Sequence, residues 1–465
     1  MRTRQRILLW TGLAAIALSQ WASATNYYVA ASGSTPTPPW TNWEWAHTNL
    51  IEVVARTRDG DTVYVTNNAT YCLTNQVNIT YAITVRSWAP DGGLDRTNTI
   101  LNGNYPNTTN RCVRLNHTNA LVAGFTITNG CITDDSGGGV YLQRGHLRDC
   151  IVIGNRGYLP YSGGFDWQGG GGIYMGYDTG PGSVSNCIIS GNICSNNGGG
   201  IIVGHGGPWI ISGCTISGNT ATNAAAGYGG GIQATWAQGL EIVNCVIASN
   251  YSNGRGGGVN LRYGWNRMSN CTVIGNYAAR AAGGGITLET GSTSTNTVRN
   301  CLVMGNTSAN PGNDFGGGID LRNNNAIVQN CTICSNYASY GGGINCDVGN
   351  VYVENCVIWG NWPDPTQNYY ISGGTPSFSN NCVQSGSALN TYGTNNIWVD
   401  PQFVGASNNN YHVLWTSPCV NAGANRDWMT SAGDLDGHSR IDRFSGIVDM
   451  GTYEYLPQGT IFFLP

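Results

Sequence analysis

One phrase returns eight times along this chain and leaves room for few folds: a Cys, an aliphatic strand, an Asn five residues on, then a run of glycines closed by Ile or Val. The copies begin at Cys150, Cys187, Cys214, Cys245, Cys271, Cys301, Cys331 and Cys356. Seven lead to GGGI or GGGV, ending at Ile173, Ile201, Ile232, Val259, Ile286, Ile319 and Ile344, and the eighth leaves the pattern after Asn361. A weaker forerunner, Gly124 to Gly130 with the glycines before Val140, supplies a first coil. Successive Cys residues lie 37, 27, 31, 26, 30, 30 and 25 apart, so a coil of fixed length carries loops of variable length. Self-similarity of this kind implies stacked copies of one unit that cannot bury its apolar face alone.

The unit is made of strands. Each Cys and the residue two places on (Val152, Ile189, Ile216 and their equivalents) share one face, the residue three places before each Cys is apolar, and alternation resumes after each glycine run, as in Val259-Asn-Leu261-Arg. Three short strands, each with one apolar column, describe a triangular coil repeating every ~4.8 Å. The Asn five residues after Cys is expected to turn the corner in the left-handed conformation and to stack its amide on the next coil. The glycines allow tight bends and close backbone approach.

These repeats resemble the right-handed parallel β-helix superfamily. They are especially similar to the glycine-rich Asn-containing repeats of polymorphic outer-membrane proteins and, more broadly, to pectate-lyase-like proteins. The expected fold class is therefore all-β, a right-handed parallel β-helix with an N-terminal cap over 25–119, the repeats over 120–362, and C-terminal capping coils. Upstream, Asn26 to Gly33, Trp43 to Ala46 and Asp59 to Val65 resemble the cap of such helices, with a helix over Leu50 to Arg56. Asp400-Pro-Gln-Phe403, Tyr411 to Leu414, Ser417 to Gly423, Asp434-Leu-Asp-Gly437, Arg440 and Val448 to Tyr455 resemble the choice-of-anchor Q domain, placed at 363–455, with a tail at 456–465. Neither a long apolar span nor a basic sorting tail follows Tyr455, and Asp434 to Gly437 reads as a turn rather than a calcium loop.

Arg2, Arg4 and Arg6 before the apolar run Ile7 to Leu18, with Ala22-Ser-Ala24 as a cleavage site, predict a signal peptide over 1–24 and a secreted or cell-surface protein. Nothing later reads as a transmembrane helix. All 21 basic residues are Arg and the net charge is -4, which argues against a nucleic-acid partner and removes lysine as a catalytic base. The periodic cysteines read as a buried column of reduced thiols, since their side chains all point the same way. Cys72 with Cys112 and Cys382 with Cys419 are the candidate bridges. Neither a paired CxxC motif nor a His cluster supports a metal site.

Chemistry is expected on the strand after each glycine run. Its outward residues combine aromatics with alternating charges, which suits an elongated sugar chain. Arg262, Glu289, Arg322 and Asp347 fall on consecutive coils, either as a neutralising ladder or as the lining of a glycan groove with Trp236, Tyr263 and Asp320. A lyase would draw its base and its enolate-stabilising cation from Arg262 or Arg322 with Tyr263, and would admit calcium; a hydrolase would pair Glu289 with Asp320. Tyr177, His205, Trp236, Asn260, Asp347 and the loop residue Trp167 are the expected substrate contacts. Two functions follow: a secreted or surface protein binding polysaccharide or another surface partner without catalysis, or an extracellular polysaccharide lyase or glycoside hydrolase.

Overall fold

The computed structural model describes residues 23–456, apart from 33–34, 159–167, 177–179, 224–226, 292, 311, 313, 324 and 364. The predicted signal segment up to Ala22 and the tail beyond Leu456 lie outside the described residues. The chain is a parallel β-helix. Strands pair coil to coil in sheets of 22, 12 and 7 strands, and the sole antiparallel strand pair among the described residues is Phe403–Gly405 with Asn410–Val413. The expected apolar columns are in register: Leu147 on Val184 on Ile211, and Val152 on Ile189 on Ile216. Seven successive coils, from Cys131–Ile132 to Thr307–Ser308, also hold a fourth, two-residue strand, such as Ile193–Cys194 and Tyr251–Ser252, and single bridges at Tyr337 and Trp362 continue it. That strand is too short to leave a periodic signal in the sequence. At the N-terminal end, Asn49 caps a helix over Leu50–Val54, slightly shorter than expected.

All sixteen cysteines are free, so neither Cys72–Cys112 nor Cys382–Cys419 is bridged; Cys72 is exposed whereas Cys112 is buried. In the column, each thiol is fully enclosed and donates to a backbone carbonyl, as Cys187 Sγ does to Ser185 O at 3.2 Å. Burial pushes the Cys112 and Cys194 thiols up to about 12 and keeps them protonated.

The asparagines form the expected ladder but do not turn the corner. Asn192 Nδ2 donates to Asn219 Oδ1 at 3.0 Å and to Val152 O at 2.9 Å, while Asn219 Oδ1 also accepts the Asn192 backbone N–H. The same bonds continue from Asn155 to Asn368. The left-handed positions are the residue before each ladder Asn, such as Gly191 and Ser249, and the residue before each Cys, such as Asn186 and Asn244. A ladder Asn in that conformation could not aim its amide along the axis while its own N–H bonds the next coil.

The three glycines of a run have three different duties. In the run before Ile286, Gly283 takes a φ of +75°. A Cβ on Gly284 would sit 2.4 Å from the Thr307 carbonyl carbon, and one on Gly285 would meet Gly318 O at 2.6 Å and the Asn306 amide at 3.0 Å. The run therefore lies flat against the two-residue strands with no side chains between, and its last glycine makes room for the ladder.

Beyond residue 400 the chain folds back over the Cys-strand face. Tyr411, Val413, Cys419 and Met450 pack on Leu302, Met304, Cys334 and Val357. This covers the apolar outward residues of the last coils, whereas Ile153 and Val246 further upstream stay exposed. Polar bonds fix the lid: Thr452 Oγ1 donates to Cys301 O at 2.7 Å, and the Arg426 guanidinium pairs with the buried Glu354 carboxylate. Asp434 Oδ1 accepts the Asp436 and His438 amides, confirming a turn. Among the described residues no helix is long and apolar enough to cross a membrane.

Candidate functional site

The strands after the glycine runs carry three columns besides the inward one. The first holds Gln233, Asn260, Thr287, Asp320 and Asn345 in register. Alternation puts Asn260 and Asp320 on the outward side of the strand, yet all five residues are buried. The cause is the left-handed glycine four residues earlier, which brings the preceding chain over each side chain: a Cβ on Gly256 would touch Asn260 Cβ at 2.8 Å. The buried polar groups bond one another, Asn260 Nδ2 to Gln233 Oε1 at 2.9 Å and Asn345 Nδ2 to Asp320 Oδ1 at 2.7 Å. Burial pushes the Asp320 carboxyl up to about 6, against the opposing pull of Arg322, whose Nε lies 3.0 Å from Asp320 Oδ2. Asn260 is therefore not a surface contact, and Asp320 is closed to solvent.

The second column sets Arg262 beside Glu289 beside Arg322, with Asp347 close to the last. Its charges pair in two groups rather than as one continuous ladder, Glu289 with Arg255 and Arg262, and Arg322 with Asp320 and Asp347. Glu289 accepts from Arg255 Nη1 at 3.0 Å and from the Tyr263 hydroxyl at 3.1 Å, and Arg262 Nε lies 3.2 Å away as an ion pair; Arg262 Nη2 donates to the Tyr263 oxygen at 3.1 Å. The Glu289 side chain is 8 % exposed, against 26 % for Arg255 and 20 % for Arg322. Glu289 and Asp320 thus sit in different networks, Glu289 among Arg255, Arg262 and Tyr263 and Asp320 closed to solvent beside Arg322 and Asn345, rather than facing one another across a groove. Sequence reasoning missed Arg255 and Tyr228, which stacks with the Arg255 and Arg262 guanidinium groups. Each precedes a glycine run, at the end of a variable loop where register cannot be counted.

The third column is aromatic. His205, Trp236 and Tyr263 follow one another on adjacent coils, with ring centroids 6.3 and 4.7 Å apart and planes within 22° and 34°. Trp236 and Tyr263 both take left-handed φ, +59° and +50°, an uncommon state for bulky residues, held here by Trp236 N–H donating to Arg262 O and Tyr263 N–H to Glu289 O. The turn throws the indole outward, and Trp236 is 47 % exposed. A cavity of ≈ 500 Å³ begins two residues on, lined by Gln238, Glu241, Trp265, Arg267, Thr295 and Thr297 among others. The structure thus brings His205, Trp236, Arg262, Tyr263 and Glu289 together, and Asp347 borders Arg322; Tyr177 and Trp167 lie outside the described residues. Among the described residues no three His, Cys, Asp or Glu side chains converge as metal ligands, so no calcium ligands are assigned.

Residues 111–303 match the family model for a right handed beta helix region. No curated protein sequence matches the chain. Among solved structures, the pectate lyase Pel9A aligns at 14% identity over 93% of this chain and 97% of that one, with a TM-score of 0.51. A rhamnogalacturonan lyase aligns at 12% identity over 94% and 97%, with a TM-score of 0.35. XylC in complex with xylose aligns at 9% identity over 94% and 99%, with a TM-score of 0.43. The fold is that of an all-β, right-handed parallel β-helix.

Proposed function

We propose that the protein is an exported β-helix that binds polysaccharide at the His205, Trp236 and Tyr263 corner and in the cavity beside it, without cleaving it. The observation that carries this reading is the exposed Trp236 ring in a row of stacked rings, next to carboxylates that are already bonded. An aromatic face gives the C–H side of a pyranose an apolar partner, and the cavity's Glu241, Arg267 and Thr297 offer hydrogen bonds to its hydroxyls. The likeness of the fold to that of the pectate lyase Pel9A is in keeping with this reading. The expected export segment 1–24 and the resemblance of 363–455 to the choice-of-anchor Q domain support a location outside the cell.

A lyase is the second reading, favoured by one contact: the Tyr263 hydroxyl bridges the Arg262 guanidinium and the Glu289 carboxylate, an arrangement in which a phenol could lose its proton beside a cation. Both readings meet one experiment, in which the mature chain is incubated with uronic-acid and neutral polysaccharides while retention and unsaturated-uronate absorbance are followed. Retention without absorbance, weakened about ten-fold or more by Trp236→Ala, is expected. An absorbance gain abolished by Tyr263→Phe would establish the lyase instead.

A further inference from the structure

The two-residue strands after the ladder asparagines build a second face, separate from the Trp236 corner. Its outward column runs in register through Tyr251, Tyr277, Thr307, Tyr337 and Trp362 on five consecutive coils. The Tyr251 and Tyr277 rings stack at 5.7 Å with planes 6° apart. Tyr277, Tyr337 and Trp362 are 40, 42 and 61 % exposed, so these rings contribute little to the core. The face is flat and stiff because glycine backbone lies directly behind it: a Cβ on Gly257 would be 2.6 Å from the Tyr277 amide.

The charge pattern separates this face from the first. The neighbouring column, two residues on, reads Asn253, Ala279, Ala309 and Ser339, and over the coils from Ile193 to Tyr337 neither column contains an Asp, Glu, Arg, Lys or His; the Trp362 coil adds a single acidic residue, Asp364, to that column's sequence. An acidic polymer laid along these two columns would surrender hydration for no cationic partner within them, at a cost of several unmade charge-assisted bonds. An uncharged ligand with apolar C–H faces and many hydroxyls complements it, and the Tyr251 hydroxyl, donating to Asn253 Oδ1 at 2.8 Å, sets a polar pair beside the rings. The five coils span roughly 19 Å at ~4.8 Å per rung, and an extended β-linked hexopyranose chain advances by about one rung per sugar.

We propose that this face is a second carbohydrate-binding surface, which takes an uncharged, extended polysaccharide lying along the helix axis. The test is retention of the full mature chain in native gels cast with hydroxyethyl cellulose, galactomannan or polygalacturonate. Neutral polymer is expected to retard it, and retardation should survive about 0.5 M salt, where screening reduces ionic contacts to a few Å. The triple variant Tyr277→Ala, Tyr337→Ala, Trp362→Ala should lose at least ten-fold in affinity, while Trp236→Ala keeps the neutral-polymer retention. Trp362→Ala alone, at the most exposed ring, should lose about three-fold or more and covers the case in which the triple variant does not fold. Unchanged retention of these variants, or none of the native chain on either neutral polymer, would overturn the proposal. So would a dimer in sedimentation that the triple variant abolishes, since a second copy would then occupy the face.

Discussion

Asp320 and Trp236 stand four residues past successive features of the same strand pattern, yet one is sealed and the other projects. Asp320 pairs with Arg322 inside the coil wall, and its carboxyl is raised from 3.8 to about 6 by burial. A raised carboxyl means the folded state holds its proton where the unfolded chain has released it, so stability falls as pH rises from about 4 through 6, by on the order of 2 to 3 kcal/mol. Urea unfolding of Asp320→Asn across that range should show this slope removed. The ladder amides carry a different cost. Asn276 Oδ1 accepts both the backbone N–H and the side-chain N–H of Asn250, so Asn276→Ala strands two buried donors and should cost about 2 to 4 kcal/mol in urea unfolding.

At the scale of one coil, the glycine run decides where backbone can lie on backbone. Two substitutions separate its two constraints. Gly285→Ala has no left-handed φ to satisfy but drives a Cβ to 2.6 Å from the Gly318 carbonyl oxygen, whereas Gly191→Ala meets nothing within 4 Å and faces only a φ of +60°. The second should cost about 1 to 2 kcal/mol, and the first distinctly more, because backbone on both sides cannot move without opening the ladder. Thermal melts of the pair check the order. The same glycines explain an error of reading: alternation alone assigns Asn260 and Asp320 to the outside, and it is correct about which side of the strand they occupy. The chain that covers them follows from the left-handed turn at Gly256 and Gly316, a bend of the preceding residues that no hydrophobic period encodes.

Across the whole molecule, the fold-back of the C-terminal segment closes the Cys-strand face. Glu354 has a side chain 1 % exposed and pairs with Arg426 from the lid. Arg426→Ala leaves that carboxylate with Gln329 as its remaining side-chain donor among the described residues, and should cost about 2 to 4 kcal/mol and speed proteolysis within 400–455. Deeper in the lid, Arg440 and Glu454 pair at 3.0 Å, and burial raises the Glu454 carboxyl from 4.5 to about 8. Its contribution is therefore fully present below about 4.5 and is lost as pH rises towards 8. The lid should be cut faster at pH ~9 than at ~6, and Glu454→Gln should remove the difference.

The sequence by itself determined the stacking: eight Cys-to-Asn phrases dictated one coil per phrase, the apolar columns, the amide ladder and the alternation of Arg262, Glu289 and Arg322 along one strand face. Period-two patterning and a fixed number of residues per coil suffice for these, because each is set by nearest neighbours in the stack. Only the tertiary structure decided that the polar column beside the glycines is buried, that Arg255 reaches Glu289 across 34 residues, and that Thr452 closes on Cys301 across 151. Those contacts depend on where variable loops and a returning chain end in space, and no local repeat carries that distance.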